Sequence, residues 1–302
     1  MGILKKVKRK FYLITGCSLI LVIFLCIFWR QPQLVCIPVT FTSSGIPMLN
    51  ASIEGKTYSL QFDLGSKFLL SLNKNVLEAI NDKKSFGMAK WQDVKGNFYE
   101  EPSYSIPRVK IGNLVLTQIV ARQENDAFRT GATIWKSVQN STCKHVGCLG
   151  RPLLEQTNFL LDLKNSQMIA CNSKRRLQKM GFVLDNMTKI PFEGGSKGII
   201  INFETDIGML RLGLDTGSTI TLVRTCRLQD QNCTKDARGF PVFTTQKFSA
   251  GNKDFGAKDL YLYEITPELK EIDGMLGMDF LENHIIYIDY KGKFVYIGNY
   301  NS

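Results

Sequence analysis

Two short stretches of this 302-residue chain carry residues suited to acid–base chemistry. "LRLGLDTGSTITLV", residues 210 to 223, sets Asp215 between an alternating apolar run and a small-residue turn, and "YSLQFDLGSKFLLSL", residues 58 to 72, does the same for Asp63. An unpaired buried carboxylate is costly and normally finds partners or keeps its proton. A strand ending in Asp and followed by x-Gly-Ser places the carboxyl on a tight turn, where Gly permits close backbone approach and a hydroxyl can hydrogen-bond the acid. The supporting residues are then Gly65 and Ser66 in one copy, and Thr216, Gly217 and Ser218 in the other.

The two turns belong to an internal repeat. "GCLGRPLLEQTNFLLDLKNSQMI", 147 to 169, lies over "GMLGMDFLENHIIYIDYKGKFVY", 274 to 296, without a gap, and upstream Asp63, Gly65 and Ser66 lie over Asp215, Gly217 and Ser218. "VKIGNLVLTQIVA" and "FSAGNKDFGAKDLYL" add a Gly-Asn turn to each copy. The chain therefore reads as two lobes of one duplicated unit, residues 37–171 and 189–298, with a polar and basic linker at 172–188. Alternating Leu210, Leu212, Leu214 and Tyr58, Leu60, Phe62 predict strands, so the fold class is all-β, mainly β with short helices at 73–82, "RPLLEQ" and "MDFLEN".

Two lobes related by a pseudo-twofold bring Asp63 and Asp215 face to face. Carboxyls about 3 Å apart cannot both ionise easily, so they share a proton. The ionised member serves as general base on a water, and the protonated one polarises the carbonyl under attack. This chemistry needs neither metal nor cofactor, and none is expected. "CKHVGC", 143 to 148, offers too few ligands for a metal site and reads as a disulfide loop. Asp162 and Asp289 also recur but sit where turns need framing, and Arg151 is expected to brace a carboxylate.

Ahead of the lobes, residues 1–10 hold Lys5, Lys6, Lys8, Arg9 and Lys10, and residues 11–29 are free of charge, long enough to cross a bilayer core. No small-residue cleavage site precedes Pro32, so an uncleaved transmembrane signal-anchor is favoured over a signal peptide. The basic flank keeps the N-terminus cytoplasmic and the lobes outside the cytoplasm. The net charge of +11 owes much to that tip, and no basic cluster interleaved with aromatics suggests a nucleic-acid partner. In an oxidising compartment Cys36, Cys143, Cys148, Cys171, Cys226 and Cys233 are expected to form disulfides, with 143–148 and 226–233 the short-loop candidates, which leaves Cys36 with Cys171, although all pairings stay open.

"DTGS" at 215–218 is the active-site motif of the pepsin/retropepsin superfamily of aspartic proteases, "DLGS" at 63–66 is similar to it, and "LGRPLL" and "GMLGMDFL" resemble its apolar-Gly segments. Over nearly all of residues 37–298 the chain resembles the single-chain, two-lobed form of that superfamily. The resemblance implies an aspartic endopeptidase with Asp63 and Asp215 as catalytic dyad, acting as a monomer on a peptide or protein substrate between the lobes. It also implies a β-hairpin flap, placed at "WQDVKGNFYEE", 91 to 101, with Phe98 or Tyr99 over the substrate, and a small disulfide loop from Cys226 to Cys233. Two departures stand out. Members usually carry Thr after each catalytic Asp; Thr216 conforms, whereas Leu64 has no polar atom for the cross-lobe bonds beneath the dyad. No Y-G-T/S-G flap motif is present. The expected function is thus a membrane-anchored aspartic endopeptidase, and the alternative is a catalytically inactive, protease-like peptide-binding module.

Overall fold

Alternating apolar side chains build the strands that end at the two carboxyls. In the computed structural model, which describes residues 34–124, 146–195, 198–229 and 231–300, Leu60 and Phe62 are buried along Lys56–Asp63, as are Leu210, Leu212 and Leu214 along Gly208–Leu214. Each strand is the second arm of a hairpin. Pro47–Ile53 reaches Lys56–Asp63 through Glu54 and Gly55, both at positive φ (48° and 78°), the turn that matches strand twist. Gly198–Thr205 does the same for Gly208–Leu214.

The repeated Leu-Gly segments then lie parallel to these arms. Asp63 pairs with Gly150 and Leu214 with Leu276, and each segment is flanked antiparallel on its other side by the strand that follows the Asp turn, Leu70–Asn73 or Leu222–Arg224. This crossing explains the G-x-L-G spacing. A Cβ at Gly150 would fall 2.1 Å from the Phe68 carbonyl oxygen, and one at Gly277 would fall 2.3 Å from that of Ile220. No side chain fits there.

In the first lobe the strand path runs from Pro47–Ile53 through Lys56–Asp63, Gly147–Gly150, Leu70–Asn73, Leu114–Glu124 and Phe98–Ile111, and Ala51 opposite Ile111 closes it into a barrel. The second lobe repeats the order with Gly208–Leu214, Gly274–Leu276, Leu222–Arg224, Lys258–Tyr263 and Pro241–Thr245. The molecule is mostly β, with two barrel lobes and a few short helices, among them Lys74–Glu78, capped by Asn73, and Met278–Leu281.

A sheet shared by both lobes lies beneath them. Phe159–Asp162 of the first lobe pairs with His284–Asp289 of the second, Leu161 facing Ile286 and Phe159 facing Ile288. One face of this sheet joins the main core through Phe159, Leu161, Ile286 and Ile288. The other face, with Leu160, Ile169, Tyr287 and Tyr296, is covered by Leu177 and Leu184. The segment expected to be a solvated linker therefore holds the helix Lys174–Lys179 and packs through its leucines, which its charged residues mask in the sequence. Asp162 and Asp289 frame turns: Asp162 accepts from Asn165 and Gln167, and Asp289 from the Gly292 N–H.

The disulfide expectation needs correction. Cys36, Cys148, Cys171, Cys226 and Cys233 are all free thiols. Cys36 stands opposite Ile169 while Cys171 lies beyond Ala170, the partner of Val35. They are diagonal neighbours, about 7–8 Å apart in sheet geometry, wider than the roughly 4.4–6.8 Å between Cα atoms of a bridge. Cys226 faces solvent, whereas Cys233 packs against the main core. Cys143 and His145, the basic tip 1–10 and the anchor 11–29 lie outside the described residues. Among the described residues no helix is long and apolar enough to cross a membrane.

The crossing geometry makes a prediction. Gly277→Ala should lower the urea midpoint by a stability loss of about 1–3 kcal/mol, the usual cost of overpacking, because backbone must shift to admit the methyl group. An unchanged midpoint would contradict the tight crossing.

Candidate active site

Asp63 is the last residue of its strand, and Asp215 follows Gly208–Leu214 directly, its own N–H donating to the Leu276 carbonyl at 3.0 Å. The two turns meet across the lobes, and the carboxyls hydrogen-bond each other. Each glycine of the D-x-G-S turns faces the opposite lobe's acid. A Cβ at Gly65 would lie 2.7 Å from Asp215 Oδ1, and one at Gly217 would lie 2.8 Å from Asp63 Oδ1. Close approach, with no special backbone conformation, is what requires glycine at both positions.

Backbone N–H groups serve both acids. Asp63 Oδ1 accepts from those of Gly65 (2.8 Å) and Ser66 (3.1 Å), Asp215 Oδ1 accepts from that of Gly217 (2.9 Å), and the Gly65 N–H also faces Asp215. The serine hydroxyls turn elsewhere: Ser66 Oγ donates to the Phe68 carbonyl and Ser218 Oγ to that of Ile220. They stiffen the turns, and main-chain donors serve the acids. Burial raises the pKa of both carboxyls, and for Asp215 the neighbouring Asp63 charge and their shared hydrogen bond push it well above the ordinary range. The two carboxyls therefore share a proton, with Asp215 the more strongly raised of the pair.

Thr216 ties the lobes together beneath the pair. Its Oγ1 accepts from the Leu64 N–H (3.0 Å) and donates to the Phe62 carbonyl (2.7 Å). Leu64 has no hydroxyl to return these bonds; its side chain is fully buried in the core. Burying a leucine is worth about 1.5–3 kcal/mol, comparable to the roughly 1 kcal/mol per hydrogen bond that a threonine there would add. Arg151, 4% exposed, directs Nη1 to the Leu64 carbonyl at 3.5 Å, so its brace acts on the turn's backbone.

The hairpin of Lys84–Gln92 and Phe98–Ile111 meets the segment after the Asp63 turn: Lys67 Nζ donates to the Lys90 carbonyl at 3.3 Å and Phe68 meets Trp91 edge to face. Of the two expected flap residues, Phe98 is 81% exposed, whereas Tyr99 stacks on Trp91 with ring centroids 4.5 Å apart. Sequence reasoning missed the group beneath them. Buried Arg122 pairs with buried Glu101 at 2.7 Å, Glu101 accepts from the Trp91 indole at 2.8 Å, and the Arg122 guanidinium lies over both the Phe68 and the Trp91 ring and donates to Ser71. A charged residue of each sign at inward positions of adjacent strands is a readable signal once the hairpin register is known. Among the described residues no group of three or more His, Cys, Asp or Glu is arranged to hold a metal ion.

No family model and no curated relative matches the chain. Among solved structures, basic 7S globulin from soybean is similar over 89% of this chain and 95% of its own, at 10% identity and a TM-score of 0.61. Conglutin gamma, a basic 7S globulin from lupine seeds, is similar over the same shares at 11% identity and 0.60. At such identity the likeness shows the fold alone, and it extends over both lobes.

Two predictions follow from the geometry. Thr216→Val leaves the Leu64 N–H and the Phe62 carbonyl without their Thr216 partner, at about 1–3 kcal/mol each, so urea denaturation should show a loss of roughly 2–6 kcal/mol. Carboxyls whose folded pKa is raised stabilise the fold fully below their unfolded pKa near 4, and that contribution is lost as pH climbs through the folded pKa. Stability should therefore fall as pH rises above about 4, and Asp215→Asn should flatten the fall. Parallel profiles for the two proteins would refute a raised Asp215 carboxyl.

Proposed function

We propose that the chain is an aspartic endopeptidase that binds an extended peptide between its lobes and hydrolyses it with Asp63 and Asp215. The observation that carries this reading is the hydrogen-bonded pair of carboxyls, Asp215 buried and Asp63 half-buried, held by backbone N–H donors from both turns. Asp63 takes a proton from water as its oxygen attacks the peptide carbonyl, while the Asp215 proton stabilises the oxygen that becomes negative. Collapse of the tetrahedral intermediate breaks the C–N bond, with a proton passing to the leaving amine. The proposal includes anchoring through residues 11–29, with the lobes outside the cytoplasm; the basic flank and uncharged run support it.

A second reading is a non-catalytic module that binds peptides in the same cleft. Leu64 favours it, and so do the solved neighbours, which are named globulins rather than proteases. The comparisons lean toward this reading and the dyad leans toward hydrolysis. Incubating a mixed peptide library with the protein from about pH 3 to 7, the range in which carboxylate pairs operate, separates them. Cleavage by the wild type that falls by at least about a hundredfold in both Asp63→Asn and Asp215→Asn is the expected result. Folded wild type that retains peptides yet cuts none would establish the binding module instead.

A further inference from the structure

The tip of the hairpin does not stop at its own lobe. Residues 93–97 join the arms, and Asp93 sets their shape: its Oδ1 accepts from the N–H groups of Lys95 (2.9 Å) and Asn97 (2.8 Å), and its Oδ2 accepts from the Tyr99 hydroxyl (3.1 Å). This tip reaches the second lobe. The Thr266 N–H donates to the Val94 carbonyl at 2.8 Å, and the Val94 side chain packs into an apolar cluster of Leu222, Tyr263, Ile265, Leu269 and Met275. Gly96 lies so close to Thr266 that a Cβ there would fall 2.9 Å from the threonine hydroxyl oxygen. The Lys95 ammonium stands 5.8 Å from the Tyr263 ring centre.

The landing point is a built surface. Arg224 holds the loop after Tyr263 from within: Nη1 donates to the carbonyls of Ile265 and Thr266 (both 3.1 Å), and Nη2 to those of Leu269 (2.6 Å) and Ile272 (3.1 Å). With these carbonyls drawn toward one guanidinium, the Thr266 N–H is left free to meet the hairpin. The same wall carries the acid. Leu222 lies seven residues after Asp215, and Met275 immediately precedes Leu276, whose carbonyl accepts from the Asp215 N–H.

We propose that the hairpin tip is an autoinhibitory latch: Val94 and the Thr266-to-Val94 hydrogen bond fasten the first lobe's hairpin to the second lobe, and a peptide enters the cleft only when this contact opens. The proposal rests on the reading of the cleft as a peptide site. The latched state is the ground state of the free protein, and the apparent affinity for peptide is reduced by the small fraction that is open. Val94 is half-buried at a hairpin tip and lies at the edge of that cluster, so replacing it weakens the latch and leaves Leu222, Tyr263 and Ile265 in place.

The test pairs wild type with Val94→Ser and reads two things. Amide hydrogen exchange reports the latch itself: Thr266 should be protected in the wild type and should exchange roughly tenfold faster in Val94→Ser, the factor expected from losing most of one valine's burial. Association with a mixed peptide library at the working pH should rise by a similar factor of about ten. Equal Thr266 exchange in both proteins would overturn the latch whatever the peptides do. Faster exchange with unchanged peptide association would overturn its inhibitory role. Faster exchange with no peptide bound or cut by either protein would instead overturn the peptide-cleft reading, and the latch's role with it.

Discussion

Two carboxyls held within hydrogen-bonding distance repel each other unless one keeps its proton. Asp63 and Asp215 stand in that relation, and much of the architecture serves to hold them there. The hairpins deliver each acid to the end of a strand, the turn glycines let the opposite carboxyl approach, and the parallel Leu-Gly segments lock the turns from behind. The shared sheet, with Phe159–Asp162 beside His284–Asp289, fixes the two lobes so that the pair stays in register. Without that sheet the repulsion would have an easy relief, since the lobes would part.

The site is asymmetric although the chain is duplicated. Asp63 accepts from the N–H groups of its own turn, whereas Asp215 carries the stronger upward push on its pKa, from burial and the Asp63 charge. The cross-lobe bonds are one-sided as well: Thr216 reaches to Phe62 and Leu64, while Leu64 gives up polarity for burial. Duplication sets the frame, and divergence of single side chains assigns roles within it. The hairpin carries the asymmetry further, because it belongs to the first lobe and ends on the second.

Those parts of the molecule that repeat were legible in the amino-acid order. Asp63 and Asp215, their glycines and the Leu-Gly segments could be aligned by eye, and period-two runs marked their strands. The cross-lobe pairing of Leu161 with Ile286 was not legible, since both strands are apolar on each face and carry no register signal of their own. The contact of Val94 with Thr266 escaped for a different reason: it joins distant segments through one main-chain bond and an ordinary valine. Arg224 gave no hint either, because its partners are carbonyls, which every residue possesses. Cysteine number and compartment suggested bridges, but sheet register decides which thiols can meet.

The shared proton is the claim on which the functional account turns, and carbon-13 resonances of aspartate-labelled protein, followed through a pH titration and assigned with the two Asn variants, test it most directly. The account predicts that the Asp63 and Asp215 carboxyl signals move together in two steps separated by more than about one pH unit, the upper step well above the ordinary carboxylate range. Two independent single-step curves, each centred near the ordinary value of about 4, would show that the carboxyls do not share a proton.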